Sequence, residues 1–382
     1  MQANNGFLHH VDTYIFIKMK NIIRLIISIL IISFSLLTCK KDEHYKYNED
    51  NVENENCESD VEDEKIQLEN LEGTLDFFYE NSNINEWCSS LFFINKLVGF
   101  ASTQSGKIYK TRDGGVSWRL LGQISPVHLN SIFFVDGCTG YAFGGKSGCS
   151  PTPCTVYGSV AYKTTDGGKS WIRQTVPYEW SELYSAWFFN NSLGLVVGLG
   201  LSVKTSDGGN TWEAFTTGDK NNMKKVSFVS LNVGHCVSLM GDFFRTEDMG
   251  ITWKKIIVGN DNRTSDFCFI SNNVGYANDV ENLMKSIDGG NTWDLIYTAD
   301  YNIGYINFIT ENIGIILGSK YLDSGYGGLS YSIIKIQFTK DGGKTWSDLI
   351  LDERDFNLNC ISTKDNILYS LSYDNIVKLT IR

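Results

Sequence analysis

The chain has 382 residues, of which 33 are Lys or Arg and 44 are Asp or Glu, for a formal net charge of −11. That balance excludes an extended nucleic-acid footprint, which needs a basic surface. Five histidines, and cysteines whose spacing does not recur, supply no zinc site, so neither metal nor cofactor is expected.

Residues 1–18 fit no element and read as an upstream mis-start, with Met19 as the true first residue. Residues 19–38 carry Lys20 and Arg24, then a nearly all-apolar run from Leu25 to Leu37 that is too short for a comfortable transmembrane span. The run ends Leu36-Leu37-Thr38-Cys39 and resembles a bacterial lipoprotein signal, with Cys39 as the lipidated residue; Thr38 departs from the usual Gly, Ala or Ser. The implied location is the outer membrane, facing the periplasm or the exterior. Residues 39–72 read as a solvated tether: positions 40–70 hold 12 acidic and 4 basic residues, a net of −8, and too little apolar surface to fold. The remaining domain, 73–382, is left with a charge of −4.

Thr74-Leu75-Asp76-Phe77-Phe78-Tyr79 reads as a strand without a unit of its own. After it one phrase recurs six times, a Thr or Ser, an Asp-Gly-Gly turn, then Ser/Thr-Trp, here termed the box. Its Asp residues are Asp113, Asp166, Asp207, Asp248, Asp288 and Asp341, spaced 53, 41, 41, 40 and 53 apart. Its Trp residues are Trp118, Trp171, Trp212, Trp253, Trp293 and Trp346. The fourth copy replaces the first Gly with Met249. Two strand-like runs joined by Asp-Gly-Gly are a β-hairpin, the Gly residues supplying positive φ. Upstream of each box a Phe precedes a Gly by six residues: Phe93/Gly99, Phe134/Gly140, Phe188/Gly194, Phe228/Gly234, Phe269/Gly275 and Phe308/Gly314. Each unit therefore holds two hairpins, and four-stranded units at this period are propeller blades.

These units resemble the Asp-box (BNR) repeats of sialidases, sortilin-type receptors, xyloglucanases and photosystem II assembly-factor propellers, and are most similar to the last group. The resemblance covers about residues 74–382. After Trp346 the chain repeats the unit's spacing through Leu368-Tyr369 and ends on Asn375-Ile376-Val377-Lys378-Leu379-Thr380, with no box following. Three C-terminal strands and the N-terminal strand complete one another. The expected fold is all-β, a seven-bladed propeller of four-stranded blades closed by the N-terminal strand in the C-terminal blade.

The resemblance implies that the box turns lie opposite the ligand face and that their Asp residues are structural. Both 53-residue spacings come from insertions on the other face. One, Gly144 to Gly158, contains Cys149, Cys154 and Tyr157; the second, Ser319 to Tyr331, contains Tyr321, Tyr326 and Tyr331. The connection Val176 to Tyr184, with Tyr178, Trp180 and Tyr184, is expected to rise there too. Tyr among Ser and Gly is a binding-loop composition, and these aromatics are the candidate partner contacts. Cys149 and Cys154 are the expected disulfide; the other six cysteines beyond Cys39 are expected as buried free thiols. Asn260-Asp261-Asn262-Arg263 lacks the Gly and closing Glu of a calcium loop.

A sialidase needs three arginines around the substrate carboxylate. Of seven arginines beyond residue 70, only Arg263 and Arg354 fall on connections at the ligand face. Glu179, Glu182, Asp323 and Glu353 are loose carboxylates that no spacing pairs as a glycosidase requires. The expected function is that of a monomeric, non-enzymatic, membrane-anchored binding module for an envelope or surface protein, the alternative being a carbohydrate-binding or glycoside-cleaving surface protein.

Overall fold

Every box closes its polar groups on itself. In the first, Thr111 Oγ1 donates to Asp113 Oδ1 (2.7 Å) and accepts the Gly115 N–H (2.9 Å). The same carboxylate accepts the Ser117 N–H (2.9 Å) and, through Oδ2, the Ser117 hydroxyl (2.5 Å). Asp166, Asp207, Asp248, Asp288 and Asp341 repeat the pattern. The first Gly of the turn takes a positive φ, and Met249 in the fourth box adopts it at 62°, a conformation strained for a residue with a Cβ.

The structure, a computed structural model, describes residues 75–145, 158–177, 181–215, 222–322, 331–349, 360–371 and 375–381. Its strands form seven four-stranded antiparallel sheets. These are the blades of a seven-bladed propeller. The innermost strands are Cys88–Phe93, Leu129–Phe134, Glu182–Phe188, Met223–Phe228, Phe267–Phe269, Asn302–Phe308 and Cys360–Lys364, and blades are numbered 1 to 7 in that order. Blade 7 is completed from the other end of the chain. Leu75–Asn81 pairs with Asn375–Ile381 over its whole length, from Leu75↔Ile381 to Asn81↔Asn375.

The core lies between blades rather than within one centre. Each of seven apolar clusters fills one seam, as where Phe93, Trp118, Tyr369 and Ile376 join blades 7 and 1. The Phe and Gly six residues apart are cross-strand partners, Phe93↔Gly99 through Phe308↔Gly314. The ring lies flat on the Gly: a Cβ at Gly275 would come within 2.3 Å of the Phe269 ring. In five of the six pairs its other face stacks on a ring from the preceding blade, as Phe93 on Tyr369 at 3.6 Å and Phe308 on Tyr276 at 3.5 Å; Phe228 is the exception, with Leu195 at that position. The box Trp meets the same Phe edge-on, as Trp346 meets Phe308 at 90°. Phe, Gly and Trp thus form one packing unit, which is why they recur together.

Three expectations are corrected. The second insertion is no loop from Ser319 to Tyr331; the hairpin ladder continues to Leu322↔Tyr331, placing Tyr321 and Tyr331 on strands, because the alternating Tyr, Ile and Ser residues suit a pleated edge. Tyr184 lies within the innermost strand of blade 3, not on the connection before it. Cys138 is disulfide-bonded rather than a free thiol, being half-buried in a turn instead of packed in a strand. Cys88, Cys236, Cys268 and Cys360 are free.

Candidate functional site

Antiparallel order assigns the faces. Each box joins the third and fourth strands of its blade, so all six boxes lie on one face with the turns between first and second strands. The opposite face carries the turns between second and third strands and the blade-to-blade connections. Both insertions leave from that opposite rim, one between Gly144 and Val160 and one between Leu322 and Tyr331.

On the same face opens a central channel of about 910 Å³, lined by residues from all seven innermost strands. In blades 1 to 6 the wall is read from two positions counted backward from the anchoring Phe, and blade 7 adds Cys360 and Ile361. Three residues before the Phe stand Ser90, Ser131, Ser185, Lys225, Asp266 and Tyr305, all lining the channel. Several pin the next blade: Ser90 Oγ accepts from Ile132 N (3.2 Å), Ser185 Oγ from Val226 N (3.2 Å) and Asp266 Oδ2 from Ile306 N (2.8 Å). Four residues before the Phe stand Ser89, Tyr184, Lys224, Ser265 and Gly304, which line the channel, and Asn130, whose Nδ2 donates to the Leu183 carbonyl (3.2 Å) instead. In blades 1, 2, 3, 4 and 6 a register shift bulges this residue out of the ladder, and such bulges re-aim side chains at barrel rims. In blade 5 the Asn278 side chain does the same work, its Oδ1 accepting the N–H groups of Ser265 and Asp266, each at 2.9 Å.

The channel wall is uneven. Blades 1 to 3 present serines; blades 4 to 6 present an ion pair and an aromatic. Lys225 Nζ lies 2.5 Å from Asp266 Oδ1, donates to the Phe267 carbonyl at 2.9 Å, and sits 5.1 Å above the Phe267 ring. Lys224 reaches the Ser265 carbonyl (3.0 Å). Tyr184 donates to Glu182 (2.9 Å), and burial beside that carboxylate pushes its phenol up to about 12. Asp266 is the one carboxylate in the described lining, and Lys225 and the Ile306 N–H already engage it. This chemistry suits hydrogen-bonding a polar ligand.

Of the aromatics proposed from sequence, Tyr184 is at the channel mouth. Tyr321 and Tyr331 are on the extended hairpin of blade 6, above the Gly318 and Ser319 that line the channel. Tyr157, Tyr178, Trp180 and Tyr326 lie outside the described residues, as do Cys39, Cys149, Cys154, Glu179, Asp323, Glu353 and Arg354. The stretch Asn260 to Arg263 is a clamp: the buried Asp279 carboxylate accepts backbone N–H bonds from Asn260 (2.8 Å), Asp261 (2.9 Å) and Arg263 (3.1 Å). Among the described residues no cluster of His, Cys, Asp and Glu could hold a metal ion. Of the bulge residues, sequence reasoning singled out Tyr184, though on a loop, and missed the others. Their signal was present as a fixed offset from the Phe, but a bulge leaves no residue preference of its own.

No family model and no curated protein matches the chain. Among solved structures it is similar to YCF48 from Cyanidioschyzon merolae, at 18% identity and a TM-score of 0.62 over 80% of this chain and 98% of that one. It is similar also to YCF48 bound to D1 peptide, at 17% identity and 0.62, over 80% of this chain and 95% of that one. A GH74 xyloglucanase from Xanthomonas campestris follows at 11% identity and 0.58, covering 77% of this chain and 52% of that one. At these identities the likeness is one of fold. A fold shared by a peptide complex and a glycan-cleaving enzyme leaves function to the side chains.

Proposed function

We propose that this chain is a non-enzymatic propeller, lipid-anchored at Cys39, that binds a protein partner of the cell envelope with the rim around the channel mouth. On this reading it serves as an assembly or stability factor for that partner. The carrying observation is that both insertions spring from the rim of a polar channel whose only described carboxylate is already neutralised by Lys225. Among the described lining residues no second carboxylate stands beside Asp266 to form the pair a glycosidase requires, which favours recognition over glycoside cleavage. The similar fold described with a bound peptide supports a polypeptide as the ligand.

The test is an affinity capture from detergent-solubilised envelopes. The intact protein is compared with a variant lacking 146–156 and 323–330, both shown to be equally folded. A partner held only by the intact protein is the expected result. One held equally by both would move the site off this rim. No partner for either would overturn protein binding, and selective glycan-array binding lost in Trp180→Ala and Tyr326→Ala would replace it.

A further inference from the structure

We propose that the acidic segment 57–64 docks in a basic groove on the box face, between blades 1 and 2, and is stapled there by a Cys57–Cys138 disulfide. Cys138 is in a disulfide while the other four described cysteines are free. Its partner is therefore Cys39, Cys57, Cys149 or Cys154. Cys138 lies in the turn between Leu129–Phe134 and Gly140–Gly144, on the box face. Cys149 and Cys154 belong to the insertion that leaves the far end of Gly140–Gly144. That strand is about 16 Å long, and Cys149, four residues past Gly145, and Cys154, four before Gly158 at the same rim, each reach about 14 Å fully stretched. Neighbouring blades pack on both faces of blade 2, so a longer path around the outer strand Ile172–Gln174 would be needed. Cys39 is excluded on the lipid-anchor reading, whose thioether consumes its sulfur; this one step rests on that reading. Cys57 remains.

The groove gives the segment a place to lie. Its volume is about 620 Å³, and Lys110, Arg112 and Arg119 of blade 1 and Lys169 of blade 2 line it. Asp113, the one carboxylate in the described lining, is taken up by Thr111 and Ser117. Gly167 also lines the groove and donates its N–H to the Cys138 carbonyl (2.9 Å), so the disulfide stands at the groove's end. Immediately after Cys57 come Glu58, Asp60, Glu62, Asp63 and Glu64, the charge complement of that lining. The 18 residues from Cys57 to Leu75 have an r.m.s. reach of roughly 24 Å. Leu75 pairs with Ile381 at the box-face end of blade 7, next to blade 1, so the segment need not cross the disc. The staple forms by thiol–disulfide exchange: an external protein or small-molecule disulfide takes two electrons and leaves as two thiols, and Cys57 and Cys138 lose their thiol hydrogens.

The test digests the mature, full-length protein without reduction and maps its disulfides by mass spectrometry. A Cys57–Cys138 pair is expected. Cys138 joined to Cys149 or Cys154, or recovered as a thiol, overturns the staple. Lipidation is read from the mass of the Cys39 peptide in the same digest, so failure of the anchor reading is distinguishable. Docking is read in the reduced protein by hydrogen exchange over 110–121 and 167–169. Neutralising the five acidic residues (E58Q, D60N, E62Q, D63N, E64Q), or raising the salt to 1 M, should speed exchange there several-fold. Unchanged exchange under both conditions overturns docking.

Discussion

His235 occupies the position at which blades 2, 5 and 7 carry Tyr141, Tyr276 and Tyr369. Each of the four reaches a carbonyl in the next blade, His235 Nε2 the Gly289 carbonyl at 2.9 Å and Tyr141 the Gly208 carbonyl at 2.9 Å. The His235 ring is fully buried, stacks on Phe269 at 3.7 Å, and is held near pKa 4 by desolvation, with Arg245 nearby adding to the effect. A base whose folded pKa is depressed binds fewer protons folded than unfolded, so stability is whole above about pH 6.5 and falls toward pH 4. The slope is at most about 1.4 kcal/mol per pH unit. Lower down, the Thr211 and Thr345 hydroxyls and N–H groups hold Asp207 and Asp341 at about 2. Depressed carboxylates stabilise above about pH 4 and lose that contribution as pH falls toward 2. His235→Tyr should therefore abolish the loss between pH 6.5 and 4 and keep the loss below 4, as read by urea midpoints across pH. A wild-type profile flat from 6.5 to 4 would contradict the burial argument.

Within a blade, the Phe–Gly pair decides what can change. The Phe269 ring is caught between His235 on one side and Gly275 on the other, so it has nowhere to go. Gly275→Ala should cost about 1–3 kcal/mol, seen as a lower denaturant midpoint with an unchanged m-value. A neutral result would mean that the seam yields. This pair was legible because a short turn joins the two strands, which makes partnership across the ladder a constant sequence distance. The bulge residues Ser89, Asn130 and Lys224 were not: the extra residue is set by how the innermost strand must bend at the channel, and any side chain tolerates it.

Over the whole ring, stability depends on closing the last seam. Ile376, Val377 and Leu379 of blade 7 are buried, and the strand that carries them pairs with Leu75–Asn81. A chain beginning at residue 85 leaves that edge unpaired and should melt more than about 10 °C lower; unchanged thermal stability would show that closure is dispensable. The sequence by itself determined the box turns, the blade count and the closing strand, because turn chemistry and strand partnership act at constant spacing along the chain. Only the tertiary structure decided which residues meet at the channel, that Lys225 neutralises Asp266, and that the box-face groove is basic. Those contacts join different blades, about 40 positions apart in sequence, and arise only once the ring closes.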